Sequence, residues 1–191
     1  ESTVVIGGQQ AGLLTGPLYS VHKLISIINL ARKAEKEEGT PVVPVFWIAG
    51  EDHDFDEINH VYLPENNRMQ KYQVKHTPGK KASVTDLPME KPAVEEWLGQ
   101  LFSHLEESVY TKDLENQIYQ LINQSKSYVD FFARLIFHLF REEGVVLVDS
   151  HHPSFRKLES EHFKAMIHNQ TQITQGVYAA WQQNMQQGRS E

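Results

Sequence analysis

Cysteine is absent from the 191 residues. That removes disulfides, thiol nucleophiles and cysteine-type zinc sites, so any metal has only histidines and carboxylates to use. Long apolar runs are missing too. The most apolar stretch, Val42 to Ala49 (VVPVFWIA), is about eight residues against the roughly 20 of a membrane helix. No charged-then-apolar leader opens the sequence, and the expectation is a cytoplasmic protein that binds no membrane. Positive charge is scarce: 18 Lys and Arg stand against 25 Asp and Glu, a net charge of −7. That balance argues against a nucleic-acid partner and leaves a local basic pocket open. What is present, 40% hydrophobic and 10% aromatic residues, suffices for a core without staples in one large domain. Glu1 opens the sequence without a methionine and Gly188-Arg189-Ser190-Glu191 follows a helical pattern directly. The expectation is a piece of a longer protein.

The pattern predicts an α/β fold, a Rossmann-like parallel sheet with an inserted or appended helical part. Val4-Val5-Ile6 before Gly7-Gly8 reads as a buried strand entering a tight turn. Leu18, Val21, Leu24, Ile25, Ile28 and Ala31 recur at helical spacing between Pro17 and Gly39. Val42 to Ile48 has the composition of a strand buried on both faces, so the first 48 residues form a βαβ unit with a right-handed crossover. Weaker strands are expected at Val61 to Leu63 and Met69 to Lys75, and a proline-bearing excursion from Thr77 to Pro92. Helices follow near Pro92 to Glu107, at Lys112 to Asn123, and from Ser127 with its capping-box partner Asp130. Val145 to Val148 reads as another buried strand, Pro153 as the start of a polar helix. The glutamine-rich tail carries Ile173, Val177, Trp181 and Met185 four apart. The organisation expected is a core of residues 1–76 and 144–170, a loop and helical part at 77–143, and a terminal helix at 171–191.

In an open parallel sheet, ligands bind beyond the carboxyl ends of the strands, and three constellations fall there. The first runs from Gly7 to Lys23, with Gly8, Gln9, Gln10, Gly12 and Gly16 between strand and helix. Glycines let a backbone approach a phosphate or carboxylate, and the helix dipole favours the negative charge; a turn that only packs helix on strand is the plainer reading. The spacing matches neither G-x-G-x-x-G nor the Walker pattern. The second is Glu51-Asp52-His53-Asp54-Phe55-Asp56-Glu57-Ile58-Asn59-His60, which could hold a divalent metal, bind an amine or serve as acid and base; a helix cap or a solvated face is the plainer reading. The third is Asp149-Ser150-His151-His152-Pro153, where Asp149 reaches a hydroxyl or amine while His151 and His152 are read as surface residues.

Gln9 to Tyr19, followed by Pro44-Val45-Phe46-Trp47-Ile48-Ala49-Gly50-Glu51-Asp52-His53-Asp54-Phe55-Asp56-Glu57, closely resembles the cysteine ligase family of bacillithiol biosynthesis. Gly144 to Leu158 resembles that family's later strand, acidic residue and helix. The likeness covers essentially the whole chain but only part of a family member. It implies a longer cytoplasmic enzyme with an N-terminal stretch, the rest of a nucleotide-binding core and a C-terminal coiled coil, homodimeric at full length. It implies ligation of cysteine to the amino group of glucosaminyl malate, with ATP and its Mg²⁺ activating the carboxylate, and a core similar to class I aminoacyl-tRNA synthetases. The signature G-x-L-H-x-G-H of those enzymes falls on Gly16 to His22; Gly16, Leu18 and His22 fit, while Tyr19 and Val21 replace a His and a Gly. On this resemblance Gly8, Gln9, Gln10, Gly12, Gly16, Tyr19, His22 and Lys23 face the nucleotide, with His22 also stabilising charge on a phosphate. Asp52, His53 and Asp54 act on the amine, and Glu51, Asp54, Asn59 and Asp149 hold substrate, with no permanent metal site. Two other classes compete: a metal-dependent hydrolase or transferase using Glu51, His53 and Asp54, and a helical interaction module using the Trp181 stripe.

Overall fold

The computed structural model describes residues 2–75 and 82–189. Its elements in chain order are β1 (Thr3–Gln9), α1 (Leu18–Glu38), β2 (Val42–Ile48), α2 (Phe55–Ile58), β3 (His60–Glu65), β4 (Arg68–Gln73), α3 (Lys91–Ser103), α4 (Thr111–Gln124), α5 (Tyr128–Phe140), β5 (Val146–Asp149), α6 (Pro153–His168) and α7 (Gln170–Gln186). Residues 1–152 form one compact unit and 153–191 a second. The part of the proline-bearing excursion at 76–81, with the expected boundary at 76, lies outside the described residues.

In the first unit β1, β2 and β5 make a parallel sheet with β2 in the middle. The βαβ unit forms where the sequence places it: Pro17 precedes α1, and Gly39 closes it in the left-handed region (φ 69°) with its N–H on the Glu35 carbonyl at 2.9 Å. α5 opens on a reciprocal cap. Ser127 Oγ accepts from the Asp130 N–H (3.2 Å) while the Asp130 carboxylate accepts from the Lys126 N–H (3.0 Å). β3 and β4 pair as an antiparallel hairpin across Asn66 and Asn67, both at positive φ (48° and 61°), the backbone that a two-residue hairpin turn requires.

The core lies on one face of the parallel sheet. Gly7 and Phe46 are register partners, so their side-chain directions agree. A Cβ on Gly7 would sit 2.6 Å from Ile27 Cδ1 of α1, and Phe46 packs on Phe132 of α5 with ring centroids 6.1 Å apart. α1 and α5 therefore share this face, over a core that includes the fully buried Leu24, Phe46, Leu98, Ile122 and Phe132. On the other face β2 is covered as its composition predicts, with Val45 buried and Val43 and Trp47 half-buried, whereas the expectation of buried strands at Val4 to Ile6 and Val145 to Val148 is corrected. Val4 is 53% exposed, Ile6 58% and Val146 45%, because neither α1 nor α5 reaches that side. β5 begins at Val146 rather than Val145.

The second unit is the helix pair α6 and α7, and no residue of either is buried. On α7 the expected stripe of Ile173, Val177, Trp181 and Met185 is exposed, with Tyr178 stacked on Trp181 at 5.6 Å. Truncating the ring that joins sheet to helix tests this account of the core. Phe46→Ala should cost about 3–5 kcal/mol, read as a lower urea midpoint with an unchanged slope, whereas a loss below about 1 kcal/mol would show that the core lies elsewhere.

Candidate functional site

Register brings the three constellations level. Gln9 pairs with Ile48, and Ile48 pairs with Asp149, so β1, β2 and β5 end side by side and their following loops share one rim. Beyond β1 the chain makes a 3-10 turn, Leu13–Thr15, with Leu14, Thr15 and Gly16 at φ 48°, 74° and 68°. Two consecutive non-glycine residues in the left-handed region are strained, at about 1–3 kcal/mol each, and buried Leu13 (2% exposed) anchors the turn in the core.

The glycines here are accounted for by the protein's own packing. A Cβ on Gly8 would lie 2.6 Å from the Trp47 carbonyl, and one on Gly12 would lie 2.5 Å from Gly16 Cα. What speaks of a ligand is Lys23. Its Nζ donates to the Gly8 carbonyl and to Gln9 Oε1, both at 2.8 Å, and Gln9 Nε2 donates to Tyr19 Oη at 3.2 Å. Among the described residues no carboxylate pairs with Lys23, so a part-buried ammonium is held beside the first turn of α1 with only neutral partners. Both features favour an anion. His22 is exposed on the same helix.

Beyond β2 the charge is reversed. Gln10 Nε2 donates to Asp52 Oδ2 (2.6 Å) and to Glu57 Oε2 (2.5 Å), so one amide ties the β1 loop to two carboxylates. Asp52 Oδ1 also accepts the Asp54 N–H at 3.1 Å. The Gln10 amide above all, then the Asp54 N–H, hold the Asp52 carboxyl below its ordinary 3.8. His53 lies 4.0 Å from Asp52 with its side chain 64% exposed, and Asp54 is exposed. Glu51 accepts from the Ser150 hydroxyl. Asn59 is 2% exposed, its amide spent on Asp56 (3.1 Å) and its carbonyl oxygen on Gln73 (3.1 Å); the structure places it under the hairpin, joining α2 to β4. Among the described residues no group of three His, Asp or Glu side chains could hold a metal ion.

Beyond β5 the structure adds residues that the sequence reading passed over. The segment 83–86 folds back onto the strand ends: the Val84 N–H donates to the Asp52 carbonyl (2.7 Å), the Thr85 N–H to the Gly50 carbonyl (3.1 Å) and Ser83 Oγ to the Glu51 carbonyl (3.1 Å). Thr85 Oγ1 lies 3.1 Å from each oxygen of Asp149, whose Oδ1 also accepts the His151 N–H at 3.0 Å. This fit needs a glycine at 50, where a Cβ would fall 2.1 Å from Thr85 Oγ1 and 2.2 Å from Asp149 Oδ1. His151 is not the surface residue expected: its ring Nε2 meets Asp86 Oδ2 at 3.0 Å and its side chain is only 32% exposed.

A parallel α/β sheet with cationic, acidic and hydroxyl-bearing groups level at three adjacent strand ends has the layout of a Rossmann-like domain. The comparison with known families agrees and is more specific. The chain belongs to the family described as bacillithiol biosynthesis BshC, N-terminal Rossmann-like domain, which matches residues 1–191. Among similar proteins are those of Oceanobacillus iheyensis (48% identical over 180 residues, 93% of this chain and 33% of the relative), Bacillus cytotoxicus (49% over 175 residues, 92% and 32%) and a Geobacillus strain (43% over 188 residues, 98% and 35%). Each is named "Putative cysteine ligase BshC". The chain spans about a third of the length of these relatives.

The Gln10 bridge predicts a pH effect of defined sign. A carboxyl whose folded pKa is depressed contributes stability that is present above its unfolded value and lost as pH falls through the folded one. Gln10→Leu should move the Asp52 midpoint, followed by carboxyl-carbon NMR, upward toward 3.8 and flatten the acid limb of the stability profile. An unmoved midpoint would show that Gln10 does not hold Asp52.

Proposed function

We propose that this domain holds the nucleotide and the substrates of a ligase that joins the cysteine carboxylate to the amino group of glucosaminyl malate in bacillithiol biosynthesis. The family and the names of its relatives support the reaction; the observation that carries the reading to these residues is the separation of charge across the rim. Lys23, without a carboxylate partner among the described residues, lies on the β1 side, and Asp52, Asp54 and Glu57 lie on the β2 side. Adjacent amides, Gln9 and Gln10, serve one side each. An amide-forming ligase needs such a layout, since it must gather an anion and an amine in one place.

ATP would supply activation of the carboxylate, because amide formation from a free carboxylate in water is uphill. The residues fit its phosphates: Lys23 Nζ, the Gln9 amide, Tyr19 Oη, exposed His22 and the first turn of α1 are donors without an anionic partner among the described residues, and Gly8, Gly12 and Gly16 keep the adjoining backbone free of side chains. Mg²⁺ would accompany the phosphates, held mainly by their oxygens. Asp52, kept ionised by Gln10, anchors an ammonium group rather than removing its proton, with Asp54 and His53 beside it. Glu51, tied to Ser150, and Asp149, gripped by Thr85, shape the substrate side. The rim offers the competing metal-dependent hydrolase no trio of ligands among the described residues.

The reading is tested with a family-length protein carrying these residues, supplied with cysteine, glucosaminyl malate and ATP. Mass spectrometry should find the amide product, and its absence with all three present would overturn the proposal. Lys23→Met should weaken nucleotide binding about tenfold or more, since a charged hydrogen bond contributes about 1.5–3 kcal/mol. Thermal stabilisation by ATP reads this directly, and an unchanged ATP titration would remove Lys23 from the site.

A further inference from the structure

Amide formation leaves a proton to be placed, and the acidic rim is poorly suited to take it. Asp52 is hydrogen-bonded by Gln10 and by the Asp54 N–H, and His53 stands 4.0 Å from its nearest carboxylate with a side chain 64% exposed. A better arranged imidazole lies on the other side of Gly50. His151 Nε2 is 3.0 Å from Asp86 Oδ2, its side chain is 32% exposed, and its own N–H is fixed on Asp149. Asp86 is held in turn by the segment 83–86, whose backbone is bonded to Gly50 and Asp52 and whose Thr85 hydroxyl grips Asp149.

We infer that His151, oriented by Asp86, is the proton acceptor for the amine nucleophile, an inference that rests on the ligase reading above. An ionised carboxylate only accepts hydrogen bonds, so Asp86 fixes the Nε2–H tautomer and leaves the Nδ1 lone pair to take a proton. Among the described residues Nδ1 has no hydrogen-bond partner. The step balances as follows. The amine nitrogen attacks the carbonyl carbon of a mixed acyl–phosphate anhydride of cysteine, and the C–N bond forms. The bond from that carbon to the phosphate oxygen breaks, and the phosphate leaves with the electron pair. The proton released from nitrogen passes to His151 Nδ1, and the Asp86 carboxylate stabilises the imidazolium. Thr85 and Gly50 act as positioning residues: they seat Asp149, and Asp149 seats the backbone of His151.

Two measurements test this. In the 191-residue chain with its imidazoles deprotonated at alkaline pH, nitrogen-15 NMR should find His151 as the Nε2–H tautomer, and Asp86→Asn should convert it to a mixture. A ring protonated on Nδ1, or a tautomer indifferent to Asp86→Asn, overturns the inference whatever the reaction. In the family-length protein, His151→Ala should lower coupling to the amino sugar about 10²- to 10⁴-fold while leaving hydroxamate formation from cysteine, ATP and hydroxylamine intact, since hydroxylamine attacks without general-base help. Asp86→Asn should lower coupling in the same sense by less, and the melting temperatures should not move. Equal loss with both nucleophiles, or no loss with either, removes His151 as proton acceptor. A wild-type protein that makes neither product overturns the ligase reading itself.

Discussion

The row Gln9, Ile48 and Asp149 is the constraint on which the rest of the molecule depends. Parallel strands have no tight turn to set their ends, so their relative height is fixed by register alone, and register is fixed by which side chains are buried. Here the burial of Phe46 and Ile48, at 0% and 1% exposure, pins β2 beneath α1 and α5. A slip of one residue would turn Phe46 to the open face and carry Gln9 and Asp149 out of line with each other. The chemistry at the rim is thus held by apolar packing several residues further down the strands.

Two neighbouring amides give the rim its electrostatic character. Gln9 offers its oxygen to Lys23, while Gln10 offers its nitrogen to Asp52 and Glu57. A glutamine carries both donor and acceptor at no net charge, so it satisfies a cation or an anion without cancelling it. Direct Lys–Asp pairing would have left both groups poorly available to a ligand.

Much of this was legible in the sequence. The βαβ unit, the Ser127 cap and the three strand ends each had a local signal, whether an apolar run, a capping residue or a glycine turn. The burial of β2 followed from its composition, but that of β1 and β5 did not, because β-branched residues look alike whether one face or two are covered; Val4 and Ile6 carry nothing that says which helix lies over them. The segment 83–86 was missed for a different reason. Ser83-Val84-Thr85-Asp86 is an ordinary polar loop in sequence, and its contacts with Asp149 and His151 span about 65 residues, a separation that periodicity cannot see. Gly50 held the one available hint, a glycine that the packing needs and no turn type explains. Asn59 shows the converse, a polar residue in an acidic run whose hydrogen bonds serve the fold.

The uncovered face of the parallel sheet also governs how these residues behave as a colloid. Val4, Ile6 and Val146 stand exposed on the two outer strands that the described residues form, β1 on one side of β2 and β5 on the other. Such a surface invites edge-to-edge growth, and it contains no cysteine whose oxidation could be blamed for precipitation. The restraint on self-association is long-range repulsion from a net charge of −7. That repulsion shrinks as salt shortens the Debye length and vanishes near the isoelectric point of about 5.8. Low salt and alkaline pH therefore leave that repulsion at full strength, and mildly acidic, high-salt buffers remove it.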